Sequence, residues 1–134
     1  MGTVPIELVL VRQAAEYLTQ AIFLVDEGGT VLFFNEAAAA LLGRPFEDVA
    51  PQNIADWLDQ LEICDGDGRP VPGSAVPIAQ ARRDRRPAHA VFDVRCLDGV
   101  VRRLAVTSVP LIGQGGVLHG AMSLMWDAGG DDGR

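Results

Sequence analysis

The side chains able to do chemistry in this chain are few, and their spacing suits none of the usual reactions. Cys64 and Cys96 are the only thiols, and His89 and His119 the only imidazoles, in 134 residues. An iron–sulfur cluster wants four thiolates and covalent haem wants Cys-x-x-Cys-His, so neither is supported, and the two cysteines make no metal site by spacing. Gly-x-Ser-x-Gly, a phosphate loop and His-Glu-x-x-His are all absent from the sequence. Carboxylates fall mainly in turns such as Asp65-Gly66-Asp67-Gly68, where they cap and solubilise. The one basic cluster, Arg82-Arg83-Asp84-Arg85-Arg86, ends a helical pattern, where the helix dipole favours cations, so it reads as structural rather than as an anion patch. Gly129-Gly130-Asp131-Asp132 matches the letters of a cyclase signature but lies in a terminal tail with no fold around it. Turnover is not expected.

Composition narrows the remaining classes. A net charge of −7 and a pI near 4.6 repel phosphate backbones, so no nucleic acid partner is expected. Apolar runs are far shorter than the roughly 20 residues that span a bilayer, and no basic leader precedes an apolar stretch, so no membrane span is expected and the expected location is cytoplasmic. There the cysteines stay thiols. With 49% hydrophobic and 22% charged residues, the chain is an ordinary globular sequence long enough for one core.

The elements that position these residues begin with residues 21–43. Two apolar runs rich in β-branched and aromatic side chains, 22–25 and 31–34, flank Asp26-Glu27-Gly28-Gly29, which predicts a β-hairpin. Asn35 stands where a helix N-cap belongs, and Gly43 where a C-cap belongs, around an alanine-rich helix. Before the hairpin, residues 1–20 carry Leu8, Val11, Ala15 and Leu18 on one helical stripe. Two uses of that amphipathic helix stay open: packing on its own sheet, or pairing with a second subunit. Helical spacing recurs over 46–61, interrupted at Pro51 and restarting at Asn53, and again over 75–86 after Ser74. Strands are predicted over 88–97, 100–112 and 117–127, joined by Asp98-Gly99 and by Gly113-Gln114-Gly115-Gly116. Residues 128–134 read as a disordered tail. Strands, then short helices, then strands imply an α+β fold with an antiparallel sheet and helices on one face.

Residues 21–127 resemble a PAS domain. The first block of the resemblance is Asp26, Gly29, Val31, Asn35, Ala37, Leu42 and Gly43. The second runs from Pro77-Ile78 through Asp98-Gly99, Arg102-Arg103-Leu104, Ser108 and Pro110-Leu111 to Gly116, Gly120 and Asp127. The resemblance implies a single domain with a five-stranded sheet, short helices on one face and a space between them for a ligand. It also implies which cofactors to exclude. A LOV-type flavin photosensor needs a cysteine in an Asn-Cys-Arg-Phe-Leu-like helix, whereas this chain reads Gln52-Asn53-Ile54-Ala55-Asp56, so covalent flavin is excluded. The chromophore of photoactive yellow protein follows Val-Ala-Pro on a cysteine; Val49-Ala50-Pro51 is present but is followed by Gln52. Haem-binding PAS domains take their axial histidine from the helix at 75–86, which has none, and His89 lies beyond it on a strand, so haem is not expected.

What remains is an apolar interior. Phe23, Val25, Leu32 and Phe34 are assigned to one sheet face, Ala38 and Leu42 to the facing side of the capped helix, and Leu104, Val106, Met122 and Leu124 to the later strands. With Trp57 they either fill a core or line a pocket, and the small residues at 37–40 leave room for a small hydrophobic or aromatic ligand. The expected function is a signal-sensing or regulatory module without enzymatic activity. The alternative is a ligand-free dimerisation or protein-interaction module, acting as a homodimer or on a signalling partner through Ala105, Thr107 and Val109 of the outer sheet face, together with the leading helix. Trp126-Asp127-Ala128 keeps the aspartate but not the threonine of the Asp-x-Thr motif through which PAS domains often pass signals onward.

Overall fold

Asp26 reverses the chain by itself. Its Oδ1 accepts from the Gly28 and Thr30 amides at 3.0 and 2.9 Å, and its own amide donates to the Thr30 carbonyl at 3.0 Å. Gly29, at φ 89°, supplies the left-handed residue that the turn requires. The computed structural model describes residue 10 and residues 20–43, 53–96 and 98–129. The leading-helix residues Leu8, Val11, Ala15 and Leu18, residues 44–52 with Val49-Ala50-Pro51-Gln52, and the tail beyond 129 lie outside the described residues.

The turn joins β1 (Ala21–Asp26) to β2 (Val31–Phe34). There follow α1 (Glu36–Leu42), α2 (Ile54–Leu58), β3 (Glu62–Cys64), α3 (Pro77–Asp84), β4 (Ala88–Arg95), β5 (Val101–Ile112) and β6 (Leu118–Asp127). The strands form one antiparallel sheet in the order β2-β1-β6-β5-β4-β3. The two halves of the chain therefore meet at its centre, where β1 lies beside β6.

Two differences from the sequence reading stand out. The sheet has six strands among the described residues rather than five: β3 pairs Glu62 with Arg95, Ile63 with Val94 and Cys64 with Asp93. Three residues are too few to display a strand's alternation, so its only signal is the partner it finds. The second difference is that α3 is shorter than residues 75–86. It has no side-chain cap from Ser74 and starts with Pro77 in its first turn, where a missing amide costs nothing. It ends at Arg85, in the left-handed region at φ 57°.

Arginines at the end of α3 tie it to the turns around it. Arg82 Nη2 donates to the Glu27 carbonyl at 3.2 Å, Arg83 Nη1 to Ser74 at 3.1 Å and Arg85 Nη1 to Gly116 at 2.6 Å. The Arg82 guanidinium lies so close over Gly29 that a Cβ there would sit 3.0 Å from it. The basic cluster thus does structural work: three of its cations satisfy loop carbonyls.

At the other end, Asn35 joins α1 to β1. Its Oδ1 accepts from the Ala38 amide, as an N-cap does, and also from the Ile22 amide, both at 3.0 Å, while its Nδ2 donates to the Gln20 carbonyl at 2.8 Å. Gly43 closes α1 in the left-handed region, its amide donating to Ala39. Arg102 of β5 then pins the β4–β5 hairpin to that helix end. It donates to the Leu41 carbonyl at 3.1 Å and makes a two-point ion pair with Asp98 at 2.9 and 3.1 Å.

Candidate functional site

Between the inner sheet face and the helices lies the main core, and within it a small apolar cavity of about 70 Å³. Helices α2 and α3, strands β1 and β3–β6 and the segment before α3 all contribute to its wall. Asn53 starts α2 as predicted, its Oδ1 accepting from the Ala55 amide at 2.9 Å, and this aims Ile54 and Trp57 inward. Trp57 packs against two phenylalanines, at 5.0 Å from the Phe23 ring and 5.9 Å from Phe34, and those two rings stack on each other at 5.6 Å. Such ring contacts fix the relative positions of α2, β1 and β2.

Of the predicted pocket residues, Phe23, Leu42, Trp57, Leu104 and Val106 reach the cavity wall. Val25, Phe34 and Ala38 are buried in the same core but do not border the space. Leu32, Met122 and Leu124 need correcting. They belong to a second apolar cluster with Ile22 and Phe33 on the opposite face of the sheet. Leu32 moves there because the β1–β2 register shifts between Leu24 and Val25, so that Val31 rather than Leu32 opposes Val25. In β6 the inward phase is Ala121, Ser123 and Met125, with Met122 and Leu124 pointing outward. The wall also includes residues not assigned to a site from the sequence: Ile54, Leu58, Leu61, Ile63, Val76, Pro77, Ile78, Phe92, Val94, Ser123 and Met125. Periodicity could have found Phe92 and Val94, which alternate along β4; Ser123 and Met125 alternate along β6 but in its less apolar phase, and the rest sit on brief elements without a clear period.

Ala105, Thr107 and Val109, predicted for the outer face, do lie opposite the cavity. They pair with Trp126, Leu124 and Met122 of β6. On β4 the same face carries His89 and Val91, opposite Thr107 and Ala105. His89 Nδ1 is 2.7 Å from Thr107 Oγ1, and its ring lies 6.0 Å from Trp126. It therefore faces away from the cavity and cannot ligate a group held there. Val91 and Trp126 keep 45% and 43% of their surface exposed, so this face has an apolar component open to solvent.

The electrostatics are simple. Among the described residues, the cavity wall holds no charged side chain, and no three His, Cys, Asp or Glu residues come together as a metal site. Burial pushes the Cys96 thiol up from its ordinary value, against the opposing effect of the nearby Arg102, so it remains a thiol and a poor nucleophile. The Asp98 carboxyl is held below its usual range, first by the Arg102 guanidinium and then by the Val100 amide. In the wall itself the polar groups are the Trp57 indole and the Ser123 hydroxyl, the latter 2.6 Å from Ser108 Oγ. Among the described residues, the rest of the wall is apolar.

No helix among the described residues is long and apolar enough to cross a membrane. No curated protein matches the sequence. Solved structures do. A PAS domain from Colwellia psychrerythraea shares 19% identity at a TM-score of 0.63, covering 90% of this chain and 95% of that one. The PAS domain of Bordetella pertussis BvgS shares 18% at 0.60, over 90% and 84%. That of nitrogen regulation protein NR(II) from Vibrio parahaemolyticus shares 16% at 0.59, over 88% and 97%. At these identities the likeness is one of fold. The sequence pattern that defines the PAS fold matches residues 10–128, most of the chain. With the hairpin, the capped helix and the closing three strands in that order around one apolar interior, the chain belongs to the PAS fold family.

Proposed function

We propose that this chain is a sensory or regulatory module that takes a small apolar or aromatic molecule into the cavity and passes occupancy on through its outer sheet face. Residues 21–127 form the sensing unit in this reading. The observation that carries it is the placement of the cavity on β5 and β6. Val106 and Met125 are cross-strand partners, both in the cavity wall, and the adjoining pair Ala105 and Trp126 lies on the other face. A side chain displaced inside must move backbone that also carries the outer face. A ligand biases such an equilibrium only through unequal affinity for two states. The sensor kinase and regulator PAS domains among the similar structures are in keeping with this role. The chain acts as a binding module in this reading, without turnover.

The test is native mass spectrometry and absorbance of the protein purified from its host, followed by Trp126 fluorescence as candidate ligands are added. A bound mass, with a fluorescence change at Trp126 on occupancy, supports the reading. A protein that stays empty and whose Trp126 never responds refutes it.

The exposure of Val91 and Trp126 favours a second reading, a dimerisation or partner-docking module that works without ligand. It predicts a subunit or partner contact across Ala105, Thr107 and Val109. Sedimentation of the unmodified chain and of Val109→Glu separates the two readings, since only the second requires the charge to abolish an association.

A further inference from the structure

One polar group in the cavity wall has nothing to do. Trp57 is 2% exposed, and its Nε1–H, fully buried, has no hydrogen-bond partner among the described residues. An indole nitrogen only donates, and a buried one ordinarily finds an acceptor, because leaving it unmet forfeits the bonds it made with water. The other polar group in the wall, the Ser123 hydroxyl, is not its acceptor: Ser123 Oγ pairs with Ser108 Oγ at 2.6 Å. Among the described residues, the wall thus offers a ligand one unmet polar group and no charge.

We propose that the cavity takes a neutral molecule of about one aromatic ring carrying one hydrogen-bond acceptor, such as a carbonyl oxygen, which accepts from Trp57 Nε1. This rests on the sensing reading above and adds the chemistry of the ligand. Neutrality follows from the wall, since an ion would leave water for a site with no counter-charge. The acceptor follows from the indole, which can give a hydrogen bond and cannot take one. Size follows from the space. An apolar cavity of about 150 Å³ in another protein holds benzene, and this one measures about 70 Å³. A single ring therefore enters by displacing wall side chains, of which Leu58, Ile63 and Val106 are half-buried rather than buried. Larger fused-ring cofactors need several times the volume present, as sites for drug-sized ligands run from roughly 300 Å³ upward.

Acetophenone and ethylbenzene test this, being alike in shape and differing in the carbonyl oxygen. Each is titrated into the full chain, and the indole N–H resonances are followed, Trp126→Phe assigning the two signals. Acetophenone is expected to bind about 3- to 10-fold more tightly, the worth of one ordinary hydrogen bond, and to move the Trp57 N–H signal downfield. Trp57→Phe is expected to erase that preference while ethylbenzene binds as before. Equal affinities in the unmodified chain, or a preference that survives Trp57→Phe, overturn the acceptor proposal and leave the sensing reading in place. If neither compound binds, the cavity does not take single-ring guests and the acceptor proposal falls, while the sensing reading is decided by the bound mass and the Trp126 response. The resonance shift is read in the unmodified protein, so the outcome does not depend on how well the variant folds.

Discussion

Asn35→Ala removes more than a helix cap. Asn35 is 4% exposed, and its Oδ1 serves two amides at 3.0 Å, Ala38 in the first turn of α1 and Ile22 in β1. Loss of the cap costs about 1 kcal/mol. The Ile22 amide is left buried without an acceptor, which adds about 1–3 kcal/mol. The third bond, from Nδ2 to the Gln20 carbonyl, is only part-buried, so water replaces it at little cost. The expected loss is therefore about 2–4 kcal/mol, and at roughly 4 °C per kcal/mol for a chain of this length the melting temperature falls by roughly 8–16 °C. Urea unfolding followed by far-UV circular dichroism measures the first figure and a thermal melt the second. Asn35→Asp, which keeps the acceptor, is expected to lose clearly less than the alanine variant. A loss of about 1 kcal/mol or less for Asn35→Ala, equal to that of Asn35→Asp, would show that the bond to Ile22 contributes nothing and that the residue is a cap alone.

Gly120→Ala places a Cβ against the Val25 carbonyl oxygen and 3.1 Å from Asp26 Cα, all of it backbone in the β1–β6 ladder. It is expected to cost more than about 2 kcal/mol, while Gly66→Ala, with nothing within 4 Å of the new atom, stays near the parent; equal urea midpoints for the two would refute the packing argument. The Asp98 carboxyl titrates below its ordinary value when folded, so its contribution is fully present above roughly pH 4 and disappears as pH falls through the lower folded value. The stability gap between the parent and Asp98→Asn should accordingly narrow from pH 5 to pH 2, and a gap constant across that range counts against the Arg102 pair. Cys96, buried and shifted upward, should react with a thiol reagent at pH 7.5 far more slowly than the half-buried Cys64, the two rates converging in urea; comparable rates in the folded protein would contradict the burial.

Much of this fold is legible in the sequence because it is specified locally. The hairpin over residues 21–34, the caps Asn35, Gly43 and Asn53, and the three closing strands each depend on side chains that act on their own neighbours in the chain. The interior depends on phase, and there local reading fails for a definite reason. Alternation along β6 separates Ala121, Ser123 and Met125 from Met122, Leu124 and Trp126, but the second set is the more apolar. Hydropathy therefore selects the outward set. The sheet's outer side carries an apolar cluster of its own, with Ile22 and Phe33 buried in it, so apolarity does not say which side holds the cavity. Leu32 fails through geometry, since a register shift in β1–β2 has no signature in residue type. Almost half of the cavity wall comes from α2, β3 and the segment around Val76, pieces of a few residues whose neighbours are set by contacts distant in the chain.

The small volume of the cavity bears directly on how such a domain would signal. A pocket already shaped for its ligand accepts it with no change elsewhere, and binding then shifts nothing. Here about 70 Å³ lies between β5, β6 and the short helices, less than half the apolar cavity of about 150 Å³ that holds benzene in another protein. A single-ring guest in this space would therefore favour an expanded state over the packing seen here. The side chains nearest the space divide into two groups by what they are attached to. Leu58 and Ile63 sit on α2 and the three-residue strand β3, held by few ladder bonds, whereas Val106 and Met125 sit on the two longest strands. The buried Ser108–Ser123 hydrogen bond, at 2.6 Å, ties those strands together two pairs along from Val106 and Met125, on the same face, and resists their separation. Expansion is easier through α2 and β3, so a ligand must press on Met125 as well if the outer face is to respond. Each tenfold in affinity that it loses on meeting that resistance is about 1.4 kcal/mol transferred to the sheet. Ser123→Ala, which removes the tie, should make ligand binding tighter and the accompanying change at Trp126 larger; a tighter complex with no larger change at Trp126 would mean that expansion runs wholly through the helices and that the outer face is not the output.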